Sequence, residues 1–391
     1  MTATQERPVA TAVAPYPAPS VPVAERPGMV RMALLLGAFV AIGPLTIDMY
    51  LPALPTITNQ LETTSAAVQL TLTGTLVGLA LGQLVIGPVS DALGRKRPLL
   101  AGTALHVLAS LLVLVAPNLA VLGALRVLQG VGTAAGAVIA LAIVRDLYVG
   151  RAAATMLSRL FLVLGAAPVL APTIGGELLR FTSWRGIFAL LAVYGVLMLV
   201  VGARALPETL PPQRRQSSGV RGTLRGYRSL FRDRAYVGLV LVAGLTMAGL
   251  FSYVSGSAFV YQGEFGLDEQ QGVRLSGGDQ PEGTGTGGLP AVVLSLWVVL
   301  FACGLALPNA PALALSRHGE AAGTAAALLG AVQFGVGAVV SPVVGLLGND
   351  AVAIGVVVVS ALTLAIVVLV TVVRPWQLAA PDPQDTPALA H

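Results

Sequence analysis

Apolar runs long enough to cross a bilayer, separated by short polar or basic intervals, set the pattern of this chain. The first half holds six such runs: Met32–Leu51, Ala66–Val89, Pro98–Ala116, Leu119–Val144, Ala152–Leu178 and Trp184–Ala203. A helix needs about 20 mostly apolar residues to span hydrocarbon, and runs of this length predict transmembrane helices. The second half predicts four more, at Tyr236–Val260, Leu289–Asn309, Glu320–Leu347 and Ala351–Val373. At about 29 residues per span, six spans do not fit into that half. A polar, Gly-rich insert, 262–288, takes up part of it. Two spans are therefore expected to be missing.

The intervals between the runs divide the chain further. Residues 1–28 alternate Pro, Ala, Val and Thr with little charge, and residues 375–391 are again rich in Pro and polar groups, so both ends read as disordered cytoplasmic tails. Residues 29–204 form the expected N-terminal six-helix bundle, and 205–235 a basic linker carrying Arg214, Arg215, Arg221, Arg225, Arg228, Arg232 and Arg234. Residues 236–374 form an incomplete C-terminal bundle.

Composition makes the bilayer the solvent. The 391 residues are 55% hydrophobic and 10% charged, with a mean hydropathy of +0.82, where a soluble domain carries about 25% charged residues. With 45 glycines and only 5% aromatics, the chain suits helices packed through small residues rather than a membrane β-barrel. The fold class expected is an all-α polytopic membrane protein.

Charge fixes an orientation. Arg26 and Arg31 precede the first span, Arg95, Lys96 and Arg97 follow the second, Arg145 and Arg151 follow the fourth, and Arg204 follows the sixth. Basic residues collect on the cytoplasmic side, which places both termini there. The net charge of +5 is spread over these loops, so no nucleic-acid surface is expected. The single cysteine, Cys303, excludes an intrachain disulfide, and His106, His318 and His391 are scattered. No nucleophile elbow, zinc helix or phosphate loop is present, so neither enzyme chemistry, a metal nor a cofactor is expected.

Four motifs carry chemistry. Gly87-Pro-Val-Ser-Asp91-Ala-Leu-Gly94-Arg95-Lys96-Arg97 lies where the second span turns into the third; Gly94 permits the turn, and Asp91 stands within reach of Arg95. Arg126, in Leu125-Arg126-Val-Leu-Gln129-Gly130, sits inside the fourth span, where a charge is costly and calls for a cavity or a partner. Gly165, Pro168, Pro172, Gly175 and Gly176 punctuate the fifth span, and Gly335, Pro342 and Gly345 repeat part of that spacing later, as a parallel repeat would. Asp48 lies near the end of the first span, in Ile47-Asp48-Met-Tyr50-Leu-Pro52.

These motifs resemble those of the major facilitator superfamily. The turn at Gly87–Arg97 resembles its signature loop, and the resemblance implies a conformational latch formed by Gly87, Asp91, Gly94, Arg95 and Lys96. The fourth-span motif implies a role for Arg126 in proton coupling, and the fifth-span motif is similar to one associated with antiporters, with Ala171 where that motif usually has Gly. With Thr182-Ser-Trp184-Arg185 and Leu307-Pro308-Asn309, the set resembles the bicyclomycin and chloramphenicol resistance branch of drug:proton antiporters, lacking its eighth and ninth spans.

From that resemblance the chain is expected to export lipophilic small molecules across the inner membrane in exchange for protons. A carboxylate within hydrocarbon is costly when ionised and cheap when protonated, so Asp48 is the candidate proton carrier, and the resemblance implies that Asp48 and Arg126 both face the cavity. Tyr50, Gln129, Phe251, Tyr253 and Asn309 are candidate substrate-cavity positions. A uniporter or symporter for a metabolite, and a degenerate membrane protein that no longer transports, are the alternatives.

Overall fold

The computed structural model describes residues 28–215, 219–263, 288–316, 322–348 and 350–377. Within them the chain is helical, and no strand occurs among the described residues. The first half comprises α1 (Met29–Asp48), a short α2 (Leu54–Gln60), α3 (Ser65–Leu93), α4 (Lys96–Val113), α5 (Leu119–Leu147), α6 (Gly150–Leu179) and α7 (Arg185–Ala205). The second comprises α8 (Gly219–Leu230), α9 (Arg234–Gly263), α10 (Gly288–Ser316), α11 (Ala322–Leu346) and α12 (Ala351–Val368), closed by a π-helical turn at Leu369–Val373.

Polar residues set the helix ends. Thr64, Asn118 and Asp350 stand just before α3, α5 and α12, and each side chain accepts a hydrogen bond from a first-turn N–H. Gly94 ends α3 with φ +93°, a conformation few other residues adopt. Eight helical segments among the described residues are long and apolar enough to cross a membrane. The predicted third span is the 18-residue α4, which opens on Lys96 and Arg97 and packs between α5 and α7. The first span departs from expectation: after Asp48 the chain continues through a 3-10 turn at Leu51–Ala53 into α2.

Close approach of helices holds the first half together. A Cβ at Gly78 of α3 would meet the backbone of Val127 on α5, and one at Gly130 of α5 would meet the backbone of Thr75 on α3. Each helix thus presents a glycine where the other's backbone comes nearest, the small-residue packing that replaces hydrophobic drive inside a bilayer. The halves meet mainly along α3 and α11. Apolar side chains such as Leu34, Leu162, Val169 and Val352 point outward, as lipid contact permits.

The basic linker is partly ordered. Leu206, Thr209 and Leu210 are buried against the first half, and α8 occupies its later part. The proposed Gly-rich insert falls almost wholly on residues outside those described, as do nearly all of the two terminal tails; α9 ends at Gly263 and α10 begins at Gly288.

Candidate substrate and proton-coupling site

Arg126 is completely buried at the centre of the first half. Its Nη1 donates to the Thr46 carbonyl at 3.1 Å and to Gln129 Oε1 at 2.6 Å. Among the described residues no carboxylate pairs with it; its guanidinium carbon lies 4.4 Å from the Tyr50 ring centroid and 5.5 Å from that of Phe188. Two aromatic faces thus take the place of a counter-ion. Nε and Nη2 have no hydrogen-bond partner among the described residues.

The hydrogens around this centre can be assigned from their neighbours. Ser110 Oγ donates to the His106 carbonyl at 2.7 Å, so it accepts from Gln129 Nε2 at 2.8 Å. That arrangement turns Gln129 Oε1 toward Arg126. Thr71 Oγ1 donates to the Val68 carbonyl at 2.6 Å, so the Tyr50 hydroxyl donates to Thr71 Oγ1 at 2.7 Å. Thr133 Oγ1 donates to the Gln129 carbonyl and meets His106 Nδ1 at 3.2 Å, while His106 Nε2 is buried without a partner among the described residues. In the sequence His106 is set aside as one of three scattered histidines, and Ser110 and Thr133 are not singled out; small polar residues spaced along apolar runs are the available signal.

An aromatic column leads away from the arginine. Tyr50 and Phe188 pack edge to face at 5.6 Å, and Phe188 and Trp184 at 6.0 Å. Trp184 is buried, and its Nε1 donates to Gln60 Oε1 of α2 at 2.9 Å. Phe251 of α9 shares a hydrophobic cluster with Ile47, Met49 and Tyr50, which joins the second half to this region.

Asp48 is the last residue of α1 and is 7% exposed. No ion pair reaches it among the described residues. The next residue, Met49, lies against α6, where a Cβ at Gly175 would collide with the Met49 carbonyl oxygen. Gly176 and Ala171 are buried on the same helix, whereas Gly165 and Pro168 face outward. Of the remaining cavity candidates, Tyr253 is half-buried. Asn309 is exposed and spends its amide on the Leu305 carbonyl at 2.7 Å, away from the cluster.

At the opposite end of α3 the charged turn is fully engaged. Arg95 pairs with Asp91 at 2.5 Å and with Asp146, at the end of α5, at 2.9 Å. Burial by itself lowers the guanidinium, but the hydrogen bonds and charges of Asp146 and Asp91 outweigh it and raise Arg95 above the usual arginine range. Glu208 of the linker accepts from the Arg95 and Lys96 amides at 2.8 and 3.3 Å, capping α4, and Thr209 Oγ1 donates to Asp146 at 3.1 Å. Gly87 faces Ala327 of α11. Asp146 and Glu208 were missed in the sequence, although each is an acid standing among basic loop residues.

Helices wrapped around a buried polar centre, with a charged turn tying α3, α5 and the linker together, define a membrane transport protein; no group of residues able to hold a metal occurs among the described residues. The chain belongs to the Major Facilitator Superfamily, whose sequence profile matches residues 34–279. It is 37% identical to the MFS-type transporter YdgK of Bacillus subtilis over 364 residues, covering 83% of this chain and 90% of that one. It is 29% identical to the bicyclomycin resistance protein homolog of Haemophilus influenzae, covering 81% and 89%. With Multidrug resistance protein D of Escherichia coli it shares 32% identity, covering 58% and 57%. Among solved structures, the xylose transporter XylE of E. coli matches with a TM-score of 0.66 at 12% identity, covering 90% of this chain and all of that one. At that identity the match speaks for the fold alone.

Proposed function

We propose that this chain exports lipophilic small molecules across the inner membrane in exchange for protons. The observation that carries the reading is Asp48: a carboxyl at the end of α1, nearly enclosed, without an ionic partner among the described residues, on the segment whose Thr46 and Tyr50 hold Arg126. A carboxyl there changes its cost sharply with protonation, and the α1 end is packed on Gly175 so that movement of α1 and α6 is felt at it. Relatives named for bicyclomycin, chloramphenicol and multidrug resistance support a drug-like substrate class.

The remaining assignments follow the same reading. Gly87, Asp91, Gly94, Arg95 and Lys96 form the latch between the halves, both termini lie in the cytoplasm, and Gly165, Pro168, Pro172, Gly175 and Gly176 shape α6 for antiport. Tyr50, Gln129 and Phe251 stand nearest the substrate path, with Tyr253 and Asn309 farther out. The interval between α9 and α10 is too short for two spans of about 20 residues each, so in this reading the second half contributes four spans, α9 to α12, where the first contributes six.

The test is dye efflux from a pump-deficient bacterium, with and without a pH gradient, for the parent chain, Asp48→Asn and a version with two spans restored after Gly263. Export by the parent that collapses in Asp48→Asn is expected. Equal export by both removes Asp48 as the proton carrier, and export by the restored version alone identifies the present chain as a transporter that has lost its activity.

A further inference from the structure

The linker helix α8 has two faces that the transport reading leaves unused. One is fixed: Tyr227 Oη donates to the Leu84 carbonyl of α3 at 3.1 Å, Gly226 lies against Thr324 of α11, and Leu230 is buried. At 100° per residue these three positions lie within about a third of a turn of one another. Leu224 and Phe231, seven residues apart, project together along one flank, and both are 59% exposed. Phe231 continues the helix, its amide bonded to the Tyr227 carbonyl. Beyond that flank, on the side away from the body, stand Arg225, Arg228 and Arg232, all exposed and none in an ion pair among the described residues. Asp233, the acid at the end of this stretch, is turned to α9, where it accepts from the Ala235 and Tyr236 amides at 2.9 and 3.2 Å.

We propose that this strip, Leu224 to Arg232, docks on the surface of an anionic bilayer, with Leu224 and Phe231 entering the interface and the three arginines on lipid phosphates. The occupant is set by complementarity. An apolar pair beside a strip of unneutralised arginines is the pattern of an interfacial helix, in which each part finds its match at a single boundary. α8 is already helical and anchored on Leu84 of α3 and Thr324 of α11, so docking needs no separate folding step. Because α8 touches both α3 and α11, lipid bound to it bears on the contact between the halves.

Hydrogen exchange of the full chain in nanodiscs tests this, using phosphatidylcholine alone and an equal mixture with phosphatidylglycerol. Both leaflets then have one composition, so the outcome does not depend on how the chain is inserted or on what it transports. Amides of 219–234 are expected to exchange at least about tenfold more slowly in the anionic discs, since each arginine at such a surface contributes about fivefold in equilibrium. That gain is expected to vanish in R225Q/R228Q/R232Q and to shrink in L224S/F231S, while the peptides of α4 and α5 stay unchanged and report intact folding. The same exchange in both discs, or a gain that survives the triple substitution, overturns the proposal.

Discussion

The guanidinium of Arg126 rests over the ring of Tyr50, 4.4 Å from its centroid, while the Tyr50 hydroxyl is held 2.7 Å from Thr71 Oγ1. One side chain thus serves two functions that substitution can separate. Tyr50→Phe keeps the aromatic face and loses a hydrogen bond whose partner, Thr71, retains the Val68 carbonyl. It is expected to cost about 1 kcal/mol and to leave transport near the parent level. Tyr50→Leu also removes the face that balances a buried cation, worth about 2 kcal/mol when desolvated. A fall in thermal midpoint for Leu well beyond that for Phe, with a matching loss of transport, is the expected result.

Arg126 itself separates function from stability. A buried charge without a counter-ion is a cost to the fold, and two of its nitrogens, Nε and Nη2, have no partner among the described residues. Arg126→Met is therefore expected to abolish transport while shifting stability by no more than about 2 kcal/mol in either direction, because lost desolvation offsets lost hydrogen bonds. Arg126→Lys keeps the charge but cannot stack on two rings while reaching Thr46 and Gln129, and should also lose most transport. Thermal unfolding beside uptake into vesicles checks both.

What could be read from the sequence was whatever the bilayer or a short motif dictates locally. Length and hydropathy placed the helices because hydrocarbon tolerates little else, and Arg126 stood out because an arginine inside a span is rarely neutral in its consequences. The first span was read as ending at Leu51, but its apolar stretch runs on through Pro52 and Pro55 into α2. The partners of the charged turn were not legible. Glu208 meets the Arg95 amide across 113 residues, and Asp146 meets its side chain across 51. Such pairings depend on how α4, α5 and the linker converge, which no local pattern encodes. The same holds for Ser110, whose role appears only when the amide of Gln129 lies beside it.

Two glycines of the α6 motif should answer differently to the same substitution. A Cβ at Gly175 would press on the Met49 carbonyl, a backbone atom that cannot swing aside, whereas nothing lies within 4 Å of one at Gly165. Gly175→Ala is expected to push the end of α1 away from α6, costing about 2 kcal/mol as overpacking does and impairing transport through the displaced Asp48. Gly165→Ala should leave packing undisturbed, so any loss of transport it brings comes from altered bending of α6. Comparing the thermal midpoints and efflux of the two variants tests whether the motif acts through close packing at one position or through helix bending along its whole length.

The linker begins as a structural part of the charged turn, and Glu208 is the residue that makes it so. Its Oε1 accepts from the Arg95 amide at 2.8 Å and from the Leu210 amide at 3.1 Å, and its Oε2 from the Lys96 amide at 3.3 Å. α4 has no capping side chain of its own, so a residue more than 100 positions away satisfies its first amides and places a negative charge at the positive end of the helix dipole. Glu208→Ala leaves those amides to water and is expected to cost about 1 kcal/mol. Glu208→Gln keeps an acceptor and should cost about half as much. Gly94→Ala attacks the same contact from the other side: it forces a Cβ onto a φ of +93° and within 2.5 Å of Glu208 Oε2, so it should be the most destabilising of the three. If the cap acts on the latch, Glu208→Ala will also free the linker, and proteolysis between Leu206 and Arg215 will quicken in step with the fall in stability. Unchanged proteolysis alongside lowered stability would confine Glu208 to capping α4.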